Sequence, residues 1–224
     1  MPIASANTGK PYRGVGMEGP IAAWYAKNTA GALPEFRAEA RRIAAELEPG
    51  AVVLEIAPGP GYLAIELAKL GSFRVTGLDV SHSFVRIAKE NAARAGVHIE
   101  FRQGNASQMP FAADWFDFLV CRAAFKNFSD PVGALKEMHR VLRPGGKGLI
   151  LDMRKDATDA AIADEVAKMD LGLVARFMTS AALHSLKKRA YTQADFERMI
   201  AQTPFGTADI HAGAMGFEIR LEKR

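Results

Sequence analysis

The chain contains a single cysteine, Cys121, among its 224 residues. One cysteine excludes an internal disulfide framework and any metal site built from several thiolates. No apolar run approaches the roughly 18 residues that a membrane span requires. The N-terminal residues also lack the charged start and apolar stretch of a secretory signal. The sequence therefore predicts a cytoplasmic protein that does not enter a membrane.

Signals for metals and nucleic acids are also scarce. The 5 histidines form no pair at the spacing of metal ligands, so we expect no metal site. The 29 Lys+Arg exceed the 25 Asp+Glu only slightly, and they form only short local clusters, such as those at 187–189 and 223–224. Nucleic-acid binding usually requires a denser basic stripe with interleaved aromatic residues. We expect a small-molecule substrate, no nucleic-acid partner and, as an option, a homodimer.

What the chain does contain is an ordinary globular composition, with 49% apolar and 24% charged residues. Its length gives room for one large domain or two small ones. Neither a low-complexity linker nor an internal repeat divides the sequence. We therefore predict one domain over 1–224, consisting of a helical arm or lid over 1–50, a ligand-binding core over 51–152, and a helical insertion with closing strands over 153–224.

Short apolar runs alternate with helical patterns along the core. The β-branched run at 52–56 suits a strand buried on both faces. Further strands are predicted at 73–78, 97–101, 116–121 and 147–152, and helices at 20–30, 33–47, 62–70, 81–95 and from 130 to about 143. Strands that alternate with helices favour a parallel, doubly wound sheet with right-handed crossovers.

The pattern changes after residue 152. Two or three helices are expected over 158–189, and a capping box at 192–195 opens another helix. Two late strands, near 208–211 and 217–221, are predicted to form a hairpin. The predicted fold class is therefore α/β: a Rossmann-like, doubly wound, mostly parallel seven-stranded sheet with an antiparallel C-terminal hairpin.

One apolar run in this last part admits two interpretations. It consists of Met169, Leu171, Leu173, Val174, Phe177, Met178 and Leu183. Ordinary core packing is the favoured interpretation. A lid over an apolar substrate pocket is the alternative, because methionine suits an adaptable surface.

A glycine-rich turn at 57–61 follows the first predicted strand. Gly59 and Gly61 allow the backbone to turn tightly and to approach a ligand closely, and the next helix points its N-terminal amides into the same space. Asp79 ends the second strand, where an acidic side chain accepts hydrogen bonds from ribose hydroxyls. Together these features predict a cofactor that carries a nucleoside.

The turn alone does not identify that cofactor. Residues 59–64 also fit the dinucleotide fingerprint with alanine in the third position, which is a weak signal by itself. Glu55, two residues before the turn, argues against a pyrophosphate, because a carboxylate there suits a cation better. None of the 4 tyrosines has a lysine four positions later, so a short-chain dehydrogenase would lack its proton donor.

Several motifs follow one another over residues 51–152. They are an acidic residue with spaced glycines at 55–61 (EIAPGPG), the acidic Asp79, residues 104–106 (GNA) followed by 109–111 (MPF), the strand at 116–120, and the turn at 140–146 (RVLRPGG). Taken together, they resemble the class I S-adenosylmethionine-dependent methyltransferases. The loop at 125–130 (FKNFSD) resembles that of quinone-type C-methyltransferases.

This resemblance implies the cofactor S-adenosylmethionine and methyl transfer to a small-molecule acceptor. Two positions depart from the family pattern: Ala57 stands where glycine is usual, and Asn105 where aspartate is commoner. An amide oxygen can still accept a hydrogen bond from the adenine amino group. The expected cofactor-binding residues are Tyr25, Glu55, Ala57, Gly59, Gly61, Asp79, Val80, Gly104, Asn105, Ala106, Cys121 and Arg122.

Catalytic residues are harder to identify, because methyl transfer from a sulfonium depends mostly on positioning. A general base is needed only when the nucleophile arrives protonated. The candidates at the carboxyl edge of the predicted sheet are Tyr12, Glu18, Arg122 and Lys126. The arm at 12–27 is expected to cover the methionine end of the cofactor, with Arg13 or Tyr25 meeting its carboxylate. Trp24 is expected to pack in the core or the lid.

Three rival functions remain open at this point. The same scaffold can carry other chemistry on the cofactor, as in an intramolecular cyclase or lyase. The chain can also be a non-catalytic cofactor-binding module. A dehydrogenase is the weakest alternative.

Overall fold

The computed structural model describes residues 12–13, 16–71, 73–169 and 172–224, without the side chains of residues 173 and 174. The strands are β1 (Val52–Ile56), β2 (Arg74–Asp79), β3 (Glu100–Gln103), β4 (Phe116–Arg122), β5 (Leu142–Met153), β6 (Asp209–Ala212) and β7 (Gly216–Glu222). The helices are α1 (Gly19–Thr29), α2 (Leu33–Ala44), α3 (Tyr62–Lys69), α4 (His82–Arg94), α5 (Pro131–Val141), α6 (Asp159–Lys168), α7 (Leu173–Lys187) and α8 (Gln193–Ile200). Short 3₁₀ helices lie at Ala30–Ala32 and Phe125–Asn127.

The strands form one seven-stranded sheet in the order β3-β2-β1-β4-β5-β7-β6. β1 pairs in parallel with β2 and β4, β2 with β3, and β4 with β5. β7 pairs antiparallel with both β5 and β6. This topology confirms the predicted fold class. The strand order reverses between β1 and β4, and doubly wound sheets bind ligands at such a switch point.

Hydrophobic residues on both faces of the sheet hold the helices in place. Alternation along β1 sends Leu54 to a core that also contains Phe116 and Phe196, while Val53 faces a second core with Leu63 of α3. All five side chains are fully buried, and burying each one contributes roughly 1.5–3 kcal/mol. The strand ends are thereby fixed relative to one another at the carboxyl edge.

Side-chain caps begin the helices where the sequence predicts them. Ser81 Oγ accepts a hydrogen bond from Phe84 N at the start of α4. The Asp130 side chain does the same at the start of α5, where Pro131 occupies the first turn. Thr192 and Asp195 form the predicted capping box of α8. Each of these caps satisfies backbone amides that otherwise lack a partner within the helix.

Two strand boundaries differ from the prediction. β3 begins at Glu100 because its ladder with β2 starts at the pair Thr76–Glu100. Helix α5 ends at Val141, and residues 142–146 extend into β5 instead of forming a simple turn. Gly145 N donates to Lys223 O, just after the end of the neighbouring strand β7, so this extended segment continues the pairing of β5 with β7.

The apolar run of the last third does not form ordinary core. Phe177 is 77% exposed and Met178 is 62% exposed on α7, which packs mainly on α6. The core interpretation is therefore wrong for these two residues. Leu171 and the side chains of Leu173 and Val174 lie outside the described residues, as do the arm residues 1–11, 14 and 15.

Trp24 is likewise 64% exposed on α1, so its predicted packing role is also wrong. A helix that covers the sheet on one side only leaves its outer face to solvent. Among the helices of the described ranges, none has the length and apolar character needed to cross a membrane.

Candidate active site

A cavity of about 380 Å³ lies at the carboxyl edge of the sheet, where β1 and β4 diverge. Ligand sites commonly measure roughly 300–1,000 Å³. The cavity is lined by Tyr12, Arg13, Met17, Glu18, Tyr25, Thr29, Phe36, Glu55, Ile56, Ala57, Pro58, Gly59, Pro60, Leu78, Asp79, Val80, Ser81, Phe84, Gly104, Asn105, Ala106, Arg122, Ala123, Ala124, Lys126, Asn127, Phe128, Leu186 and Arg189.

The order of the strands divides this lining into two ends. Residues 55–60, 79–81 and 104–106 end or follow β1, β2 and β3, and we call them the β1–β3 end. Residues 122–128 end or follow β4. Together with residues 12, 13, 186 and 189, they form the group that we call the β4 end.

The turn at the β1–β3 end depends on left-handed backbone conformations. Gly59 has φ 55°, and a Cβ built on it would meet nothing within 4 Å. Ala57 adopts φ 56°, a region that residues with a Cβ rarely occupy. The Ala57 amide is held by a 2.7 Å hydrogen bond to Leu78 O. The substitution of alanine for the usual glycine is therefore tolerated at some cost in backbone strain.

Gly61 belongs to the same turn and lies on the side that packs against Phe101 and Ala88. It has φ 81°, and a Cβ at this position would lie 2.9 Å from the Phe101 ring and 3.0 Å from Ala88. Gly61 thus allows α3 to begin tight against β3 and α4 and does not line the cavity. A packing role of this kind is one of the reasons that such turns require glycine.

Asp79 ties the turn to the next strand. Its Oδ2 accepts a 3.0 Å hydrogen bond from Gly59 N, and its Oδ1 accepts a 2.9 Å bond from Ser81 N. Burial raises the pKa of Asp79 to about 6, although the same backbone bonds oppose this rise. Each oxygen retains a second lone pair, so the carboxylate can still accept hydrogen bonds from a ligand's hydroxyls.

Glu55 places a buried carboxyl group in the cavity. It is only 3% exposed, and its Oε2 has no hydrogen-bond partner among the described residues. Burial raises the pKa of Glu55 to about 8, while the Ala64 amide and the charge of Arg122 act in the opposite direction. A buried carboxyl with an unused oxygen is ready to pair with a cationic group.

Arg122 stands near Glu55 at the start of the β4 end. Its guanidinium lies 4.4 Å from the centre of the Phe36 ring, and it forms no hydrogen bond with a side chain of the described residues. Tyr25 also lines the cavity, and burial raises the pKa of its phenol while Arg122 lowers it. The two residues bring a cation and a hydroxyl to the same region as the Glu55 carboxyl.

The turn after β3 closes the β1–β3 end. A Cβ at Gly104 would lie 2.7 Å from the Leu78 side chain, so the backbone approaches β2 closely there. Asn105 Oδ1 accepts hydrogen bonds from both the amide (3.0 Å) and the hydroxyl (3.1 Å) of Ser107. If an adenine amino group donates to this oxygen, it does so in addition to the two hydrogen bonds that already stabilise the turn.

Lys126 has a different environment from the one expected of a catalytic residue. It is 3% exposed, and its Nζ donates to Asp152 Oδ1 at 2.7 Å and to Ala123 O at 2.5 Å. Its backbone amide donates to Asp152 Oδ2 at 2.8 Å. This buried ion pair attaches the loop after β4 to the end of β5.

Glu18 is also engaged in structure. Its two carboxylate oxygens accept 3.0 Å hydrogen bonds from the amides of His82 and Ser83 at the start of α4. Burial acts to raise the pKa of Glu18, but the bonds from Ser83 and His82 outweigh it and lower the pKa. Ser81 Oγ donates to Met17 O at 2.6 Å. The arm is thereby attached to the N-terminus of α4 beside the cavity.

The other end of the arm reaches the loop after β4. Tyr12 pairs with Phe128 in an isolated antiparallel bridge, and Arg13 N donates to Asn127 O at 2.6 Å. Arg189, just beyond α7, donates from Nη1 to Arg13 O at 3.4 Å. Three segments that are distant in sequence therefore meet at the β4 end.

Most predicted site residues thus come together around one cavity. Of the predicted set, Gly61 and Cys121 do not line it. Cys121 lies on β4 with its side chain in the core, and burial raises the pKa of its thiol. Among the lining residues that were not predicted from the sequence are Phe36, Ser81, Leu186 and Arg189. Of these, only Ser81 had a local signal, its position after Asp79 at the start of a helix. In the described part of the chain, no group of three or more potential metal ligands occurs.

Comparison with known sequences agrees with this geometry. A family model described as a methyltransferase domain matches residues 54–150. The demethylmenaquinone methyltransferase of Chlorobaculum parvum is 37% identical over 112 residues, which are 50% of this chain and 44% of that protein. The ubiquinone/menaquinone biosynthesis C-methyltransferase UbiE of Bdellovibrio bacteriovorus is 43% identical over 106 residues, 46% of this chain and 44% of that protein. The chain spans less than half the length of these relatives.

Comparison with solved structures extends the likeness to the whole chain. A protein of Methanococcus maripaludis, provisionally named an S-adenosyl-L-methionine-dependent methyltransferase, has a TM-score of 0.75 at 23% identity and covers 96% of this chain and 97% of its own. The cyclase SpnF has a TM-score of 0.53 at 20% identity, over 81% of this chain and 78% of its own. These likenesses concern the fold alone.

The family match covers the glycine turn and the strands that form the cavity, and it agrees with the family and the cofactor that the sequence resemblance implies. Over residues 54–150, the chain is therefore similar to S-adenosylmethionine-dependent methyltransferases in both sequence and fold.

Proposed function

We propose that this chain transfers the methyl group of S-adenosylmethionine to a small-molecule acceptor. The observation that carries the proposal is Glu55, whose Oε2 is buried without a partner in a cavity shared with a glycine turn and Asp79. Burying a polar group without a hydrogen bond costs roughly 1–3 kcal/mol. A ligand that brings a nucleoside and a cationic amino-acid group would remove that cost.

The residues at the β1–β3 end fit such a ligand. Asp79 would accept hydrogen bonds from the ribose hydroxyls, while Val80 and residues 104–106 would surround the purine. Glu55 would pair with the ammonium of the methionine part, and Arg122 with Tyr25 would meet its carboxylate. When bound, the cofactor supplies an electrophilic methyl group on its sulfonium sulfur.

The chain's own contribution to the reaction would be positioning and exclusion of water. The arm, held by Glu18 at α4 and by Tyr12 at Phe128, covers the cavity from one side. Methyl transfer in line needs the acceptor atom aligned with the methyl group, and fixed geometry supplies most of the rate. Among the predicted catalytic residues, Tyr12 and Arg122 are the ones we propose to contact ligand, whereas Glu18 and Lys126 would position the elements around it.

The relatives of this chain are named for quinone precursors, but the matched region covers only half of it. The arm and the α6–α7 region, which complete the β4 end, lie outside the match at 54–150. A shared fold does not determine the acceptor. We therefore propose a small-molecule acceptor, and we do not assign to this chain the quinone acceptors for which the relatives are named. We also propose a single domain over 1–224, a cytoplasmic location, no nucleic-acid partner and, as an option, a homodimer.

The first test is binding of S-adenosylhomocysteine by isothermal titration, with NAD as the competing ligand. We expect S-adenosylhomocysteine to bind in the micromolar range and to raise the melting temperature by mass action. Glu55→Gln should weaken this binding, and Glu48→Gln, at an exposed glutamate, is the matched control. Binding of NAD without binding of S-adenosylhomocysteine would contradict the proposal.

A second assay separates methyl transfer from its rivals. The protein is incubated with methyl-labelled S-adenosylmethionine, with and without a panel of small acceptors. Label in an acceptor supports methyl transfer. Methylthioadenosine formed without acceptor would instead indicate cyclase or lyase chemistry. Tight binding without turnover on any acceptor would indicate a binding module.

A further inference from the structure

We propose that the β4 end binds an anionic group of the acceptor, a carboxylate or a phosphate, between Arg13 and Arg189, and that Asn127 Oδ1 accepts a hydrogen bond from a hydroxyl or amine of the same molecule. This inference rests on the proposed function and specifies the substrate class. The acceptor would be a small hydroxy or amino acid, or its phosphate counterpart.

The position of this end relative to the cofactor-binding motifs supports an acceptor site. The residues that follow β3, β2, β1 and β4 lie in that order along the sheet edge. The nucleoside motifs occupy the first three of these places, and Glu55 and Arg122 stand at the junction of β1 and β4. A methyl group presented from that junction has only the β4 end of the cavity left to receive an acceptor.

The charges at the β4 end leave two cations without an opposite charge. Neither Arg13 nor Arg189 forms an ion pair with any described residue, although both line the cavity. Lys126 is neutralised by Asp152, and Glu18 is bonded to the start of α4. Two guanidinium groups at one end of a cavity attract a carboxylate or phosphate and bind its oxygens through their paired N–H groups.

These two arginines are also held in place by the fold. Arg189 Nη1 donates to Arg13 O at 3.4 Å, and the guanidinium of Arg13 lies 5.7 Å from the centre of the Tyr191 ring. Arg13 N is bonded to Asn127 O. Cations that are positioned before the ligand arrives lose less entropy on binding than free side chains do.

Asn127 supplies an independent observation. Its Oδ1 is buried and has no hydrogen-bond partner among the described residues, yet the residue lines the cavity. Buried polar atoms are nearly always satisfied, so this oxygen indicates a donor on the bound molecule. Phe128 and Leu186 line the same end and provide apolar contact for the acceptor's carbon skeleton.

The test uses calorimetry on the full chain saturated with S-adenosylhomocysteine. The probes are the three isomeric hydroxybenzoates, their neutral carboxamides, and 4-hydroxyphenyl phosphate. We expect at least one anionic probe to bind tenfold or more tightly than its carboxamide. The comparison of carboxylate with phosphate identifies which anion fits. Equal binding of acids and amides, or no binding of any probe, overturns the proposal.

Variants assign the effect to the residues. Arg13→Gln and Arg189→Gln should each weaken the anionic probe tenfold or more and remove the preference over the carboxamide. Arg189→Lys keeps the charge but loses the paired N–H groups, so it should recover part of the binding. Arg176→Gln, at an exposed arginine on α7, is the matched control. Asn127→Ala should reduce binding of the hydroxylated probes but not of plain benzoate.

The affinity for S-adenosylhomocysteine separates this proposal from the proposed function. It should change less than threefold in Arg13→Gln and Arg189→Gln. If that affinity falls as much as probe binding does, the arginines bind the cofactor and the acceptor assignment is wrong. If the wild-type chain fails to bind S-adenosylhomocysteine at all, the proposed function itself fails.

Discussion

The two ends of the cavity satisfy their charged groups in opposite ways. At the β1–β3 end, the Asp79 carboxylate is bonded to backbone amides of its own turn, and only Glu55 retains an unused oxygen. At the β4 end, Arg13 and Arg189 have no carboxylate partner among the described residues. The first end is built from short motifs at the ends of three neighbouring strands. The second is assembled from distant segments and leaves its charge to be matched by a ligand.

The largest expected effect is the loss of folding free energy when the Lys126 charge is removed. It tests whether Lys126 stabilises the fold at the β4 end. Lys126→Met leaves Asp152 buried without its cation, and breaking a buried pair costs about 3–5 kcal/mol of folding free energy. Chemical denaturation measures this loss. Lys155→Met, at an exposed lysine nearby, should change stability by less than about 0.5 kcal/mol. Unchanged stability together with lost turnover would instead make Lys126 catalytic.

At the β1–β3 end, the corresponding test concerns the Asp79 carboxylate, which accepts hydrogen bonds from its own turn and is proposed to contact the ribose. Asp79→Ala should weaken S-adenosylhomocysteine binding by about 1.5–3 kcal/mol, the scale of hydrogen bonds to a charged group. It should also lower stability, because the amides of Gly59 and Ser81 lose their acceptor. Asp79→Asn retains an acceptor oxygen and should be affected less in both measurements. Full affinity in Asp79→Ala would mean that the ribose lies elsewhere.

Glu55 is expected to make the free energy of unfolding depend on pH. Burial raises the pKa of Glu55 to about 8 in the folded chain, from about 4.5 for a glutamate in water, so the folded chain holds the proton more tightly than the unfolded chain. The resulting stability is fully present below about pH 4.5 and is lost as the pH rises through 8. Linkage gives a loss of roughly 2 kcal/mol between about pH 6 and pH 8.

The measurement is the free energy of unfolding at several pH values without ligand. Glu55→Gln should remove this contribution and leave a flatter profile, and saturating S-adenosylhomocysteine should also reduce the slope by supplying a cation. Parallel profiles for the wild type and Glu55→Gln would show that the carboxyl is ionised and solvated in the folded chain.

The smallest effect concerns Glu18. Glu18→Gln should lower stability by about 1 kcal/mol, because it weakens the cap of α4, and it should change turnover less than twofold. Glu48→Gln is again the control. A tenfold or greater loss of turnover without loss of stability would restore Glu18 to the catalytic role that the sequence suggested.

Much of the β1–β3 end could be predicted from the sequence because local backbone geometry dictates it. The glycines of the turn, the acidic residue at the end of β2 and the Ser81 cap are each recognisable within a few residues. The sheet topology followed from the alternation of strands and helices. Gly61 was expected to bind cofactor, but its packing against Phe101 appears only in three dimensions.

The β4 end could not be predicted to the same extent. Arg189 and Leu186 reach the cavity through the packing of α7, and no sequence motif marks that approach. The partner of Lys126 was also hidden, since Asp152 lies 26 positions away on β5. Trp24 and Phe177 are exposed although they are strongly apolar, which composition alone cannot indicate.

A crystal structure of the chain with S-adenosylhomocysteine tests the central claim most directly. The account predicts that the ribose hydroxyls contact Asp79, that the amino group lies against Glu55, and that the sulfur faces Arg122 and Asn127 at the β4 end. Electron density with the purine at the β4 end, or with the sulfur turned toward residues 104–106, would contradict it.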